Sequence, residues 1–370
     1  MPAQTPETSQ ESWNHRLGVS LLASAALAAV LVAPLFPASA AAATSYLVTR
    51  EGNTYRATPQ GGGTTYSGTL KHVMESAARD LNGGGGGTVA FATGVFDFGS
   101  EYFKGENLSN ITLQGQGMDV TVVQNNSSAS ADTEPFNFTG ADRVVVRDLA
   151  VAAGGPFRST SDALDFDQGN DVLVERVKVT ASRARGIIFD GKNDTWTALR
   201  NRVRDCVIDG IPGDGIELLA SSDNTVEGCT ITNVGGHGIQ LAKASTSADQ
   251  PNKKSNDNTI RNNVIDQAGQ DGINLTSGDR NKLLANTITN SSDDISGRDG
   301  IRLSSSDSIA CDDNEVTGNT AIDNQATKTQ RYGLNISSSL CSRTTIGPGN
   351  TFTPNRTADI RDAGTGTIGP

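Results

Sequence analysis

The chain has 370 residues, of which 35% are hydrophobic and 5% aromatic, with 41 glycines and a formal net charge of −11 at neutral pH. So few large apolar side chains exclude a helical bundle with one thick core, and so acidic a chain excludes nucleic acid and anionic lipid as partners. The polar, glycine-rich balance suits many short strands and turns.

In chain order, residues 17–36 form an apolar run rich in Ala, Leu and Val. His15 and Arg16 precede it, and Pro37-Ala38-Ser39-Ala40 follows. This reads as a signal peptide over 1–40, cleaved after Ala40, giving a secreted protein with no membrane association after its removal. An N-terminal segment and a short capping helix are expected over 41–83, because LKHVMESAARDL (70–81) has helical spacing.

From there the chain repeats. A five-residue phrase recurs as DALDF at Asp162, RGIIF at Arg185, DGIEL at Asp214, HGIQL at His237, DGINL at Asp271, DGIRL at Asp299 and YGLNI at Tyr332. A second phrase follows, built on asparagine and β-branched residues: NTVEGCTI from Asn224, NTIRNNVI from Asn258, NKLLANTI from Asn281 and NEVTGNTA from Asn314. The units are too short for strand–helix–strand crossovers and carry no helical period. They have the length of one turn of a parallel β-solenoid, whose coils stack at about 4.8 Å with like residues in columns. Ile216, Ile239, Ile273 and Ile301 then stack inside one sheet, with Leu218, Leu241, Leu275 and Leu303 beside them. Asn263, Asn286 and Asn319 occupy one column at a turn, where side-chain amides satisfy one another and free backbone groups.

The segments GGGGGTVAFATGVFDFGS (83–100) and NITLQGQGMDVTVV (110–123), with these repeats, resemble the right-handed parallel β-helix proteins of the pectate lyase-like superfamily. The resemblance implies an all-β fold, a single right-handed parallel β-helix of roughly ten coils over 84–346, and leaves 347–370 as a C-terminal tail. It is loose for chemistry, because lyases, hydrolases, epimerases and binding proteins share this architecture. Two cysteine pairs fall on adjacent coils, Cys206 with Cys229 and Cys311 with Cys341. Their spacing predicts two disulfides after export. Neither pair has the spacing of a zinc site.

Two columns carry polar chemistry. Strand parity turns Asp165, Ile188, Glu217, Gln240, Asn274, Arg302 and Asn335 outward. The second column precedes the glycine: Asp162, Arg185, Asp214, His237, Asp271, Asp299 and Tyr332. Its aspartates also read simply as Asp-Gly turns. The longer loops at 192–199, 243–257, 291–298 and 325–331 flank the same strand and would wall a groove for an extended polymer. Trp196 or Phe157 would stack on sugar rings.

The expected function is a carbohydrate-active enzyme acting on a polysaccharide along this sheet, glycosidic hydrolysis being slightly favoured. Asp214 and Asp271 are the expected acid and base, two rungs and about 9.6 Å apart by Cα, a separation that leaves room for the water of an inverting glycosidase. Glu217 is the nearest replacement for either, and His237 lies between them. Arg185, Arg302, Tyr332 and Trp196, with Asp162, Asp165 and Asp299, are the expected substrate contacts. TSDALDFD (160–167) and GGHGIQL (235–241) partly resemble polygalacturonase phrases, which implies catalytic roles for Asp162 and Asp165 and a supporting one for His237. The chain departs from that pattern at Ala184-Arg185, in the late position of the histidine, and in lacking the R-x-K phrase. Two alternatives stand. A lyase or uronate epimerase would use Arg185, Arg302, His237 or Tyr332, with Ca²⁺ held by Asp162, Asp165 and Asp167; otherwise the solenoid binds glycans without turning them over. No other cofactor is expected. An acidic groove disfavours a polyuronate unless a metal intervenes, which points toward neutral glycans.

Overall fold

The computed structural model describes residues 44–125, 134–153, 161–191, 197–244, 254–292 and 297–369. The expected signal peptide over 1–40 lies outside them. Among the described residues no helix is long and apolar enough to cross a membrane.

Each recurring phrase forms a short strand, and these strands stack in parallel. The sheet runs from Phe103–Glu106 through Ile187–Asp190, Ile216–Leu219, Ile239–Ala242, Ile273–Thr276, Ile301–Ser304 and Tyr332–Ile336 to Ala358–Asp362. The register follows the repeat. Ile187, Ile216, Ile239, Ile273, Ile301 and Leu334 are successive partners, as are Phe189, Leu218, Leu241, Leu275, Leu303 and Ile336. Both columns are buried, so alternate residues line a narrow aliphatic core. Toward the N-terminal end aromatics replace aliphatics, and Phe138, Phe166 and Phe189 stack at 4.6 and 4.9 Å between ring centres.

The glycine after each polar residue is required by close approach. A Cβ on Gly215 would lie 2.5 Å from the Gly238 carbonyl oxygen, and one on Gly238 would lie 2.6 Å from that of Gly272. Neither glycine has a left-handed φ. The Asp-Gly pairs are therefore close-packed entries to the strand, which corrects the reading of them as simple turns.

The asparagine phrases build two further parallel ladders. One contains Thr225–Glu227, Thr259–Arg261, Lys282–Leu284 and Glu315–Thr317; the other contains Thr230–Val234, Val264–Ala268, Thr287–Thr289 and Thr320–Ile322. At the bend between them the expected asparagine column forms. The amides of Asn263 and Asn286 each donate from the backbone to the next asparagine's Oδ1, at 3.1 and 3.0 Å. A second such column, Asn201, Asn224, Asn258, Asn281 and Asn314, runs along the entry to the first ladder.

The N-terminal end is closed by helix Leu70–Gly83, which buries Leu70, Val73, Met74, Ala77, Ala78 and Leu81. The Thr69 hydroxyl caps it by accepting the His72 amide at 3.3 Å. An antiparallel hairpin precedes the helix, Ser45–Glu51 with Thr54–Gln60, and its first strand also pairs in parallel with Gly87–Phe91. At the other end, the segment expected as a tail supplies strand Ala358–Asp362, a further rung on Tyr332–Ile336.

Only one of the two expected disulfides forms. Cys311 and Cys341 are bridged, with Cα atoms 4.3 Å apart. Cys206 and Cys229 are buried free thiols. Each turns to a carbonyl two residues back in its own coil, Cys206 Sγ to Arg204 O at 3.3 Å and Cys229 Sγ to Glu227 O at 3.5 Å. Burial, with Cys229 beside it, pushes the Cys206 thiol well above the usual range, which keeps it unreactive.

Candidate active site

The outward column forms in the expected register, Asp165 to Ile188, Glu217, Gln240, Asn274, Arg302 and Asn335. At its acidic end Arg185 gathers two of the expected residues. It grips Asp162 through Nε to Oδ1 at 3.0 Å and Nη2 to Oδ2 at 2.9 Å, and it reaches Glu217 Oε2 through Nη1 at 2.6 Å. Burial opposes the Arg185 charge, but Asp162 and Glu217 more than offset this and hold it protonated. Arg185, Asp214 and Glu217 face a shallow concavity of about 440 Å³, which Arg183 and Gln270 also line. Burial, with Glu217 nearby, raises the Asp214 carboxyl to about 6, although it accepts the His237 amide. A carboxylic acid that keeps its proton to such a pH can act as a general acid.

Asp162 is only 2% exposed, and both its oxygens serve Arg185. It positions that arginine and is not open to a sugar, a correction to its expected role. Asp165 is half-buried, accepts the Asn137 amide at 3.2 Å, and is raised well above the ordinary range by burial among Asp167, Asp162 and Glu134. Of the residues expected to hold calcium, Asp162 is occupied by Arg185, and no group of three or more metal-ligating side chains is found among the described residues.

Three of the four aspartates in the second column share a structural task that spacing alone did not reveal. Each accepts the backbone N–H of the residue one coil on: Asp162 from Arg185 at 2.7 Å, Asp214 from His237 at 2.6 Å and Asp271 from Asp299 at 2.7 Å. His237 does the same, its Nδ1 accepting the Asp271 amide at 3.2 Å, which leaves Nε2 to carry the proton of the neutral ring. Burial, helped by Arg298 and Arg302, lowers His237 to about 4.

Asp271 is 0% exposed. Its Oδ2 has no hydrogen bond, lying 3.6 Å from His237 Nδ1 and 3.7 Å from Arg298 Nη1. It cannot meet a glycosidic oxygen as acid or base; it lies beneath His237 and positions it. Asp299 is equally buried and is held by Arg331 at 3.0 and 2.9 Å and by Asn335 at 2.7 Å, so it makes no substrate contact. Tyr332 stays half-buried, with the Arg331 guanidinium over its ring at 4.9 Å. Trp196 and Phe157 lie outside the described residues, as do the central parts of three of the expected wall loops. Arg298 and Arg331 were missed, although R-D-G and R-Y-G stand at the same place in successive repeats.

Comparison with known proteins agrees with this architecture. A family described as "Periplasmic copper-binding protein (NosD)" matches residues 118–296, and one described as "Right handed beta helix region" matches 252–368. A search of curated proteins returns no match. Among solved structures, an alginate lyase from Paenibacillus sp. str. FPU-7 is similar at 15% identity and a TM-score of 0.56, covering 78% of this chain and 97% of that one. The catalytic domain of a GH87 alpha-1,3-glucanase is similar at 11% identity and a TM-score of 0.50, covering 81% of this chain and 66% of that one. The A-module of the Azotobacter vinelandii mannuronan C-5 epimerase AlgE4 shares 14% identity at a TM-score of 0.48, covering 82% of this chain and 96% of that one.

Proposed function

We propose that this chain, a right-handed parallel β-helix, is a polysaccharide-acting enzyme that hydrolyses glycosidic bonds at the Asp214–Glu217 concavity. One observation carries this reading: two carboxyl groups share one open wall, one of them protonated up to about pH 6 and the other ion-paired with Arg185. Asp214 gives its proton to the glycosidic oxygen as the bond to the anomeric carbon breaks. Glu217 takes the proton of the attacking water, and Arg185 holds it in place. The neutral His237, one rung on, offers Nε2–H to a sugar hydroxyl. The bridged Cys311–Cys341 pair supports export to an oxidising compartment, in keeping with a secreted enzyme. Assay of Asp214→Asn and Glu217→Gln on a cleaved glycan tests the assignment. Each should lower turnover by about 10²–10⁴-fold, and near-normal turnover in both, with the fold intact, overturns it.

A further inference from the structure

The two ends of the solenoid are finished differently. Helix Leu70–Gly83 covers the N-terminal end, whereas strand Ala358–Asp362 is the last rung at the other end and pairs on one side only, with Tyr332–Ile336. The Ala363 amide donates to Ile336 O at 2.8 Å, and Ile336 stands opposite Asp362. Parallel pairing then turns the N–H and C=O of Asp362, and by alternation those of Ile360, toward the open edge. Ile360 continues the column of Ile301 and Leu334, which are sealed, yet it stays half-buried itself. Asp359 and Arg361 are exposed on the same strand. Arg361 reaches Asn335 Oδ1 at 3.1 Å, and neither residue holds an ion pair among the described residues. By contrast, Arg176, Arg200, Arg280 and Arg343 each hold a carboxylate of a neighbouring coil. Charges on an edge strand ordinarily keep other strands away. Here they differ in sign on either side of a central isoleucine, so the edge is complementary to itself.

We infer that this edge is an interface between two copies of the chain, joined end to end about a two-fold axis through Ile360. In the antiparallel pair centred there, Ile360 faces Ile360 of the second copy and exchanges both backbone hydrogen bonds with it, while Asp362 faces Ala358 of the second copy. Asp359 then stands opposite Arg361 of the second copy, and Arg361 opposite its Asp359. These are the closer, non-hydrogen-bonded positions, about 4.5 Å apart by Cα. The charges fix the register. Centring the pair one residue earlier sets Asp359 against Asp359, and one residue later sets Arg361 against Arg361, both repulsive. The two Asp362 carboxylates stay about 13 Å apart along the strands. The paired isoleucines carry the apolar core across the junction. Because the axis is normal to the sheet, the outward columns of both copies lie on one side of the assembly. Five rungs in each copy then set the two Asp214–Glu217 concavities about 50 Å apart. The interface itself does not depend on what those concavities do.

Sedimentation equilibrium of the full chain over a concentration series tests this, with circular dichroism to check the fold of each variant. The parent should dimerise reversibly. Asp359→Arg leaves only arginines at the facing positions and Arg361→Asp only aspartates, so each alone should weaken dimerisation about 10-fold or more. An equimolar mixture of the two variants restores both opposite-charge pairs and should form a mixed dimer of near-parental strength, a gain that a misfolded variant would not show. A parent that stays monomeric to the limit of its solubility overturns the inference. So do variants that dimerise as the parent does, which would place the contact elsewhere, or a mixture that associates no better than its components.

Discussion

At the scale of single residues, the site depends on what burial does to proton affinity. Asp214 must be protonated to act as an acid, so kcat/KM should fall as pH rises through about 6. Arg185 lowers the Asp214 carboxyl, so Arg185→Gln should move that limb to higher pH as well as reduce turnover; a pH profile of the variant checks both. Stability has its own sign. Asp214 and Asp271, both raised to about 6, favour the fold most at low pH, and that contribution is lost as pH rises from about 4 to about 6. His237, lowered to about 4, acts in the opposite direction over the same window. Urea midpoints should therefore fall more steeply between pH 4.5 and pH 6.5 in His237→Gln than in the parent. The polar columns were legible as columns. That Asp271 and Asp299 are buried was not, because their burial depends on Arg298, His237 and Arg331 closing over them from other coils.

At the scale of elements, the coils are joined by side chains that complete the backbone's hydrogen bonding at each bend. Asn281 Oδ1 accepts both the amide and the side chain of Asn258, while its own Nδ2 donates to Ser255 O and Asn314 Oδ1. Asn281→Ala strands several buried groups at once and should cost about 3 kcal/mol in denaturant unfolding. Arg280→Ala, one residue earlier, removes an exposed pair with Asp257 and should cost under about 1 kcal/mol. The strands were readable from the Ile and Leu columns because inward residues alternate with period two. The N-terminal hairpin was not, since Ser45–Glu51 and Thr54–Gln60 lie outside the repeat and pair through local turn geometry.

At the scale of the whole molecule, a narrow solenoid is stabilised by neighbouring coils rather than by one deep core, so a single crosslink between rungs matters. Reducing Cys311–Cys341, which lie 30 residues apart in sequence, should cost about 3–4 kcal/mol on the loop-entropy account. Cys206 and Cys229, sealed in the core, should resist alkylation in the native protein and react only on unfolding; peptide mapping under both conditions checks this. The repeat made the architecture plain because each coil restates it. The chemistry is not repeated: Arg185 and His237 each occur once in their column, so their roles emerge only when neighbouring rungs are seen together. The most direct measurement is product analysis on a panel of neutral and acidic polysaccharides, following new reducing ends and ultraviolet absorbance, with the parent protein and with Asp214→Asn. The hydrolase account predicts reducing ends without an unsaturated, absorbing product, and their loss in Asp214→Asn. An absorbing product, or equal release by both proteins, would contradict it.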